Sequence, residues 1–327
     1  MLPMPKVSPV ILALRSLTFL AGALCSLAAA ETLSSQDQPC APRSIYISVM
    51  DHGGLPIARV AGAKFSVRYR RKPISAPPAV AETLTPRIVI LLDSSGSMRS
   101  TWGAATLAAS ELIQHAPLHS SLALIAFGEK LDIVAGLNAD RLTVRQGLQK
   151  TAPKGPTPLR DAIRLAINVL ETPQPGDAIC LISDGGESAS KISEGRLEQA
   201  LMASHVRLFS LLIPGPIEMR VRTPEELSGP LAILGYVERY GGANSWLWPE
   251  EQQSPDGRTI QLGVQRAVQN VLAAMMLVYR VDITLPAGEK RSGDLKIEML
   301  DGNAKPQKTV VLAYPHRIAT CEDRTDP

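Results

Sequence analysis

Two strand ends in this chain carry acids and hydroxyls at a spacing that suits a hard cation. Asp93-Ser94-Ser95-Gly96-Ser97 follows the apolar run 87–92, so one carboxylate and two hydroxyls converge at the end of a buried strand. Oxygen donors of this kind are the ones Mg²⁺ takes. Asp and Ser are also ordinary turn formers, so this run alone decides nothing. A second apolar run, 178–182, ends in Ser183-Asp184-Gly185-Gly186. Between the two, Gly155-Pro156-Thr157-Pro158-Leu159 opens a periodic segment with Leu159, Ala162, Ile163, Ala166, Ile167 and Leu170 on one face. Thr157 is placed as its N-cap and Pro158 as its first helical residue. In an open α/β sheet the strand ends gather on one edge, where ligands bind. Asp93, Ser95, Ser97, Thr157 and Asp184 are thereby directed to one locus.

The elements that must position them follow from periodicity. From Arg87 onward strands alternate with helices, the pattern of a parallel sheet with crossover helices. Helices are predicted near 103–115, from Thr157, and near 193–204, 224–240 and 258–275; strands are predicted at 122–127, 131–134 and 206–213. Residues 241–246 read as a surface loop. On either side the chain is β-rich, at 45–49 and 63–69 before the sheet and at 277–285, 294–300 and 309–314 after it. The Pro/Ala-rich stretch 73–86 reads as a linker. These flanking strands are too few to stand alone, so both sets are expected to pack as one small β-sandwich with the α/β unit inserted between them. The expected organisation is 1–30 signal peptide, 31–72 N-terminal β segment, 73–86 linker, 87–275 α/β domain and 276–327 C-terminal β segment.

Composition narrows the function. The 327 residues are 45% hydrophobic and 20% charged, as in a globular protein large enough for two cores. Lys6 and Arg15, an apolar run and Ala28-Ala29-Ala30 form a secretory signal, with cleavage expected after Ala30 and a secreted or periplasmic destination. Arg15 shortens the run to about fifteen residues, below the roughly 20 that span a bilayer, so no stable membrane span is expected after cleavage. Without 1–30 the chain has 32 basic and 31 acidic residues, which argues against a nucleic-acid partner. Cys180 lies in an apolar strand and reads as a buried thiol, whereas Cys40 and Cys321 could pair as one disulfide in an oxidising compartment. No P-loop or GxGxxG occurs, and the histidines at 52, 115, 119, 205 and 316 lack metal-ligand spacing. Ser95 and Ser97 have no placed base, so no enzymatic reaction is expected.

The strand–DxSxS run, the Thr-Pro pair opening a helix and the strand–Ser-Asp-Gly end together resemble the von Willebrand factor A domain with its metal-ion-dependent adhesion site, over roughly residues 85–275. The resemblance implies a Rossmann-like, doubly wound, mostly parallel sheet. It also implies Mg²⁺ (or Mn²⁺) ligated directly by Ser95 and Ser97, and by Thr157 directly or through water. Asp93 and Asp184 would act through bound waters and by orienting the hydroxyls. A vacant coordination position would then attract an Asp or Glu carboxylate of a partner protein, with the domain's last helix moving as the contacts rearrange. Trp102 and Glu187 are the candidates for a partner-binding rim, though Trp102 is equally placed to pack the first helix and Glu187 to be a plain loop residue. Asp161 reads as a dipole or capping partner of its helix. The layout is also similar to secreted bacterial, acidobacterial-type VWFA-related proteins, through the D-x-x-G-x-P turn at Asp51, Gly54 and Pro56, the strand Phe65-Ser66-Val67, and Tyr279. The function expected is Mg²⁺-dependent protein binding. The alternative is an envelope scaffold in which the metal only stabilises loops.

Overall fold

The computed structural model describes residues 42–60, 62–215, 224–247, 257–286 and 292–319. The expected signal segment, Cys40 and Cys321 lie outside the described residues. The first part comprises β1 (Arg43–Met50), β2 (Lys64–Tyr69), β3 (Lys72–Pro73) and β4 (Val80–Thr83). The α/β part runs through β5 (Ile88–Asp93), a 3-10 turn (Gly96–Ser100), α1 (Trp102–His115), β6 (Leu122–Phe127), β7 (Leu131–Ala135), α2 (Arg141–Leu148) and α3 (Leu159–Val169). It continues through β8 (Ala178–Ser183), α4 (Glu194–Ser204), β9 (Arg207–Leu212), α5 (Pro224–Arg239), β10 (Asn244–Trp246) and α6 (Gly257–Met276). The chain closes with β11 (Leu277–Ile283), β12 (Gly293–Leu300), β13 (Val311–Ala313) and β14 (Arg317–Ile318).

The central sheet has the order β10-β9-β8-β5-β6-β7, parallel throughout except for β7, which runs antiparallel to β6. This is the expected α/β class. Its middle strands are apolar on both faces because both are covered. In β5, Ile88, Ile90 and Leu92 face a layer built with α1, α2 and α6. Val89 and Leu91 face the opposite layer of α3, α4 and α5. From β5 the chain winds first toward β6 and then returns on the other side to β8. The carboxyl ends of β5 and β8 therefore flank the point where winding reverses, which is the crevice of such sheets.

Two further four-stranded sheets, β13-β1-β11-β4 and β14-β12-β2-β3, enclose one apolar core. Ile45, Ile47, Val67, Tyr69, Val281, Leu295 and Ile297 are buried in it. The two sheets carry the same turn. After β1, Asp51 Oδ1 accepts from the N–H groups of Gly53 (2.8 Å) and Leu55 (2.9 Å), and Pro56 bridges back to Met50. After β12, Asp301 Oδ1 accepts from Asn303 (2.8 Å) and Lys305 (2.9 Å), and Pro306 bridges back to Leu300. Each turn then sends the chain to the other sheet, β1 leading to β2 beside β12 and β12 leading to β13 beside β1.

Three local expectations need correction. Residues 73–86 are not simply a linker, because β4 within them pairs antiparallel with β11. Its four residues are mostly exposed, so they carry no alternation to read. Residues 241–246 are not wholly loop, since β10 extends the parallel sheet beside β9, and a three-residue strand behind two glycines resembles a turn. Helix α2 has no counterpart in the sequence reading. It is short, and it is capped by Asp140, which accepts from the Thr143 N–H at 2.7 Å.

α6 passes into β11 with no intervening residue. Its last carbonyls are capped from several directions: Ser48 Oγ donates to Ala274 O (2.5 Å), Arg207 Nη2 to Met275 O (2.6 Å) and Leu84 N–H to Met276 O (2.8 Å). Capping these otherwise orphaned acceptors fixes the helix end against the flanking strands.

Candidate metal centre

Three loops meet at the carboxyl edge of the central sheet, tied first through their backbones. Ser94 N–H donates to Phe127 O (2.7 Å), Lys154 N–H to Ser94 O (2.7 Å) and Gly96 N–H to Gly155 O (2.8 Å). The loop after β5 is thus laced to the end of β6 and to the segment before α3. Asp93 ends β5 with no exposed surface. Its Oδ1 accepts from Ser95 N–H (2.9 Å) and its Oδ2 from Ser183 Oγ (2.6 Å). Ser183 Oγ in turn accepts from Gly185 N–H (2.9 Å), so one buried hydroxyl joins the β5 carboxylate to the loop after β8.

Above Asp93, Ser95 Oγ and Ser97 Oγ lie 3.0 Å apart. Asp184 Oδ1 accepts from Gly186 N–H at 3.2 Å. A methyl group placed on Gly186 would sit 3.3 Å from Thr157 Oγ1 and 3.6 Å from Asp184 Oδ1, so the glycine stands beside both oxygens without a side chain to crowd them. All five oxygen-bearing residues selected from sequence therefore come to this edge. Among the described residues no cluster of three or more His, Cys, Asp or Glu side chains occurs, so a cation here would draw on hydroxyls as well as acids. Burial, and then the charge of Asp184, push the Asp93 carboxyl up to about 7. Two carboxylates face each other with hydroxyl and N–H donors but no ion-pairing base among the described residues. Hydroxyl and carboxylate oxygens around uncompensated negative charge are what a hard divalent ion such as Mg²⁺ takes, and the residues fit such an ion.

Thr157 does not cap α3 as expected. Pro158 occupies the cap position, and Thr157 N–H donates to Ser188 Oγ (3.0 Å). The first free N–H groups of α3 are met from the loop after β8 instead. Arg160 N–H donates to Glu187 Oε2 (3.0 Å) and Ser190 Oγ (2.9 Å), and Asp161 N–H donates to Ser190 Oγ (3.2 Å). The Thr157 hydroxyl is thereby released from capping. Asp161 returns the favour by accepting from Lys191 N–H and Ile192 N–H, each at 2.9 Å.

This corrects the reading of Glu187 as part of a rim. Its carboxylate also accepts from Ala189 N–H, Ser190 N–H and Ser190 Oγ, so it is spent on holding the loop. Trp102 opens α1 and packs, partly buried, against the core on that side of the sheet. Sequence reasoning missed Ser183, Ser188 and Ser190. Ser183 was visible only as the residue before the acid, where a hydroxyl at the end of an apolar strand is the available signal. Cys180 is fully buried and its thiol is pushed up to about 12 by desolvation, as a structural thiol should be.

The family model described as von Willebrand factor type A domain matches residues 88–187, which span the whole of this edge from β5 to Glu187. No curated protein matches the chain. Among solved structures, a von Willebrand factor type A protein from Catenulispora acidiphila is similar at 14% identity and TM-score 0.43, over 90% of this chain and 77% of that one. The conserved hypothetical protein BatB from Bacteroides thetaiotaomicron is similar at 18% identity and TM-score 0.39, over 56% of this chain and 99% of that one. Proximal thread matrix protein 1 from the mussel byssus is similar at 14% identity and TM-score 0.44, over 64% of this chain and 50% of that one. Over residues 88–187 the chain is thus similar to the von Willebrand factor type A domain.

Proposed function

We propose that this protein is a non-enzymatic, exported binding module that captures an acidic side chain of a partner protein through a divalent cation, Mg²⁺ or Mn²⁺. The observation that supports it is the pair of acids Asp93 and Asp184, without an ion-pairing base among the described residues, beside the hydroxyls of Ser95, Ser97 and Thr157. Ser95, Ser97 and Thr157 would hold the ion through their hydroxyls. Asp93 and Asp184 would supply the negative charge and orient the donors. A cation so held offers an open position to a carboxylate. The protein's part is orientation: Ser183 and Ser95 N–H fix both oxygens of Asp93, and Glu187 with Ser190 keeps the Thr157 hydroxyl out of helix capping. Export rests on residues 1–30. Among the described residues, no helix is long and apolar enough to cross a membrane.

Calorimetric titration of the chain with Mg²⁺ and Mn²⁺, beside Asp184→Ala, tests the reading. Saturable binding that disappears in the variant supports it. No saturable binding by the unmutated chain would remove the metal-dependent mechanism.

A further inference from the structure

Helix α5 meets the loop after β8 backbone to backbone. A Cβ placed on Gly229 would lie 1.7 Å from Gly185 O and 3.4 Å from Gly186 Cα. A Cβ placed on Gly185 would lie 2.6 Å from Pro230 Cγ, and Gly185 has φ 101°, a conformation that favours glycine. The turn Gly229-Pro230 therefore bears directly on the two residues that follow Asp184. Pro230 stands inside the helix, where a proline forfeits an N–H bond and crowds the preceding turn. Helix propensity gives no reason for it there, whereas the contact with Gly185 does.

The loop under α5 reaches every side of the locus. Gly185 N–H donates to Ser183 Oγ, which holds Asp93, and Gly186 stands beside Thr157 Oγ1 and Asp184 Oδ1. Gly185 is thus gripped through its N–H by Ser183 and at its carbonyl by Gly229. Of the two bodies in contact, the helix is the firmer. Ile233, Tyr236, Val237 and Tyr240 are buried in the core on its face of the sheet. Its far end is seated on the flanking sheets, where Arg239 O accepts from His316 N–H (2.9 Å) and Tyr240 bridges to Pro315. A group added at Gly229 would therefore displace the glycine loop and leave the anchored helix in place.

We infer that Gly229 and Pro230 are positioning residues of the metal locus: α5 supplies no ligand, yet sets where the loop holds Asp184 and leaves room beside the Thr157 hydroxyl. This rests on the metal-dependent reading above and adds to it a helix from outside the three loops.

The test compares Gly229→Ala with Gly235→Ala in the full chain. Both replace a glycine of α5 and gain alike in helix propensity, but a Cβ at Gly235 meets nothing within 4 Å. Gly229→Ala should weaken Mn²⁺ binding at least about 10-fold, as loss of an orienting contact does, and Gly235→Ala should leave it within about twofold. In ion-free protein, amide hydrogen exchange at Gly185–Glu187 should quicken in Gly229→Ala alone. Pro230→Ala keeps the test open should Gly229→Ala fail to fold. It restores a helical N–H and removes the ring from Gly185, so its melting temperature should rise while Mn²⁺ affinity falls. A role confined to stability would move the two together. Mn²⁺ affinity that is unchanged in both Gly229→Ala and Pro230→Ala overturns the inference and leaves the metal reading standing. Absence of Mn²⁺ binding by the unmutated chain overturns the metal reading, and exchange then decides alone: quickening confined to Gly229→Ala upholds the seating of the loop by α5, and equal exchange in the two glycine variants overturns it.

Discussion

Asp93 at the carboxyl end of β5 and Arg207 at the amino end of β9 are both charged side chains shut away from water, at 0% and 2% exposure. Arg207 is held through one nitrogen and two aromatic rings. Its Nη2 donates to Met275 O, and its guanidinium carbon lies 5.1 Å from the Phe209 ring and 5.9 Å from the Tyr46 ring. The ring faces stand where Nε and Nη1 find no hydrogen bond. The nearby carboxylate of Asp177 is committed to Arg87. Desolvation pushes Arg207 down to about 10, which still leaves it charged at neutral pH. Asp93 has its oxygens held as well, yet its strongest electrostatic neighbour is another acid. Neither charge has an ion-pair partner, but Arg207 holds a helix-end carbonyl and lies over two rings, whereas Asp93 has a second acid as its neighbour. An added cation lowers the energy of the Asp93 end only.

The largest test of this contrast is Arg207→Ala. It empties a packed space, frees Met275 O and should cost about 3 kcal/mol in urea unfolding. Metal affinity should stay within about twofold, because the two sites are far apart and share no partner. A large loss of metal affinity would show that the ends are coupled.

The pH dependence separates them next. Asp93 is raised above its unfolded value of 3.8 to about 7, so in ion-free protein the native state holds the extra proton between those limits. Its contribution to stability is therefore present at low pH and lost as pH rises through about 4 to 7. Added Mg²⁺ should raise the melting temperature more at pH 8 than at pH 5.5. Arg207, lowered to about 10 by desolvation, acts in another window. Its penalty is constant below pH 10 and eases only above it. A melting-temperature shift on Mg²⁺ addition that is the same at both pH values would break the assignment of the uncompensated charge to Asp93.

Ser183→Ala sharpens the comparison within the metal edge. It should weaken Mn²⁺ binding about 10- to 100-fold, as loss of an orienting group does, with Ser183→Thr restoring most of it. The ion-free variant should lose about 1–3 kcal/mol in thermal unfolding, since Asp93 Oδ2 and Gly185 N–H lose a buried partner. The smallest effect is expected in the flanking sheets. Ala304 occupies the place that Gly54 fills in the twin turn, and both have positive φ, 59° and 77°. Ala304→Gly should stabilise the protein by about 0.5–1 kcal/mol and leave metal binding alone.

The five oxygen-bearing residues of the locus were legible because an acid or hydroxyl at the end of an apolar strand breaks a strong pattern. The order of strands and helices was legible for the same reason. What escaped was information held between segments. Glu187 and Ser190 cap a helix that begins almost thirty residues earlier, so no window around Thr157 contains the reason its hydroxyl is available. β4 becomes a strand only because β11 is beside it. Arg207 is buried partly by Tyr46, which is distant in sequence, so no local window shows it. In the second turn Ala304 stands where the first has its glycine, so the twin carries no matching mark.

The chain enters the parallel sheet after Thr83 and leaves it at Leu277, and these two residues are cross-strand partners in β4 and β11. The α/β unit and the flanking sheets are therefore joined along the chain at one cross-strand pair, but the junction is wider than that pair. Ser48 Oγ donates to Ala274 O, Arg207 lies over the Tyr46 ring, and His316 N–H donates to Arg239 O at 2.9 Å. A pull exerted at the edge of the central sheet would reach the flanking strands through all of these links at once, so the load would be shared and not concentrated on the four residues of β4.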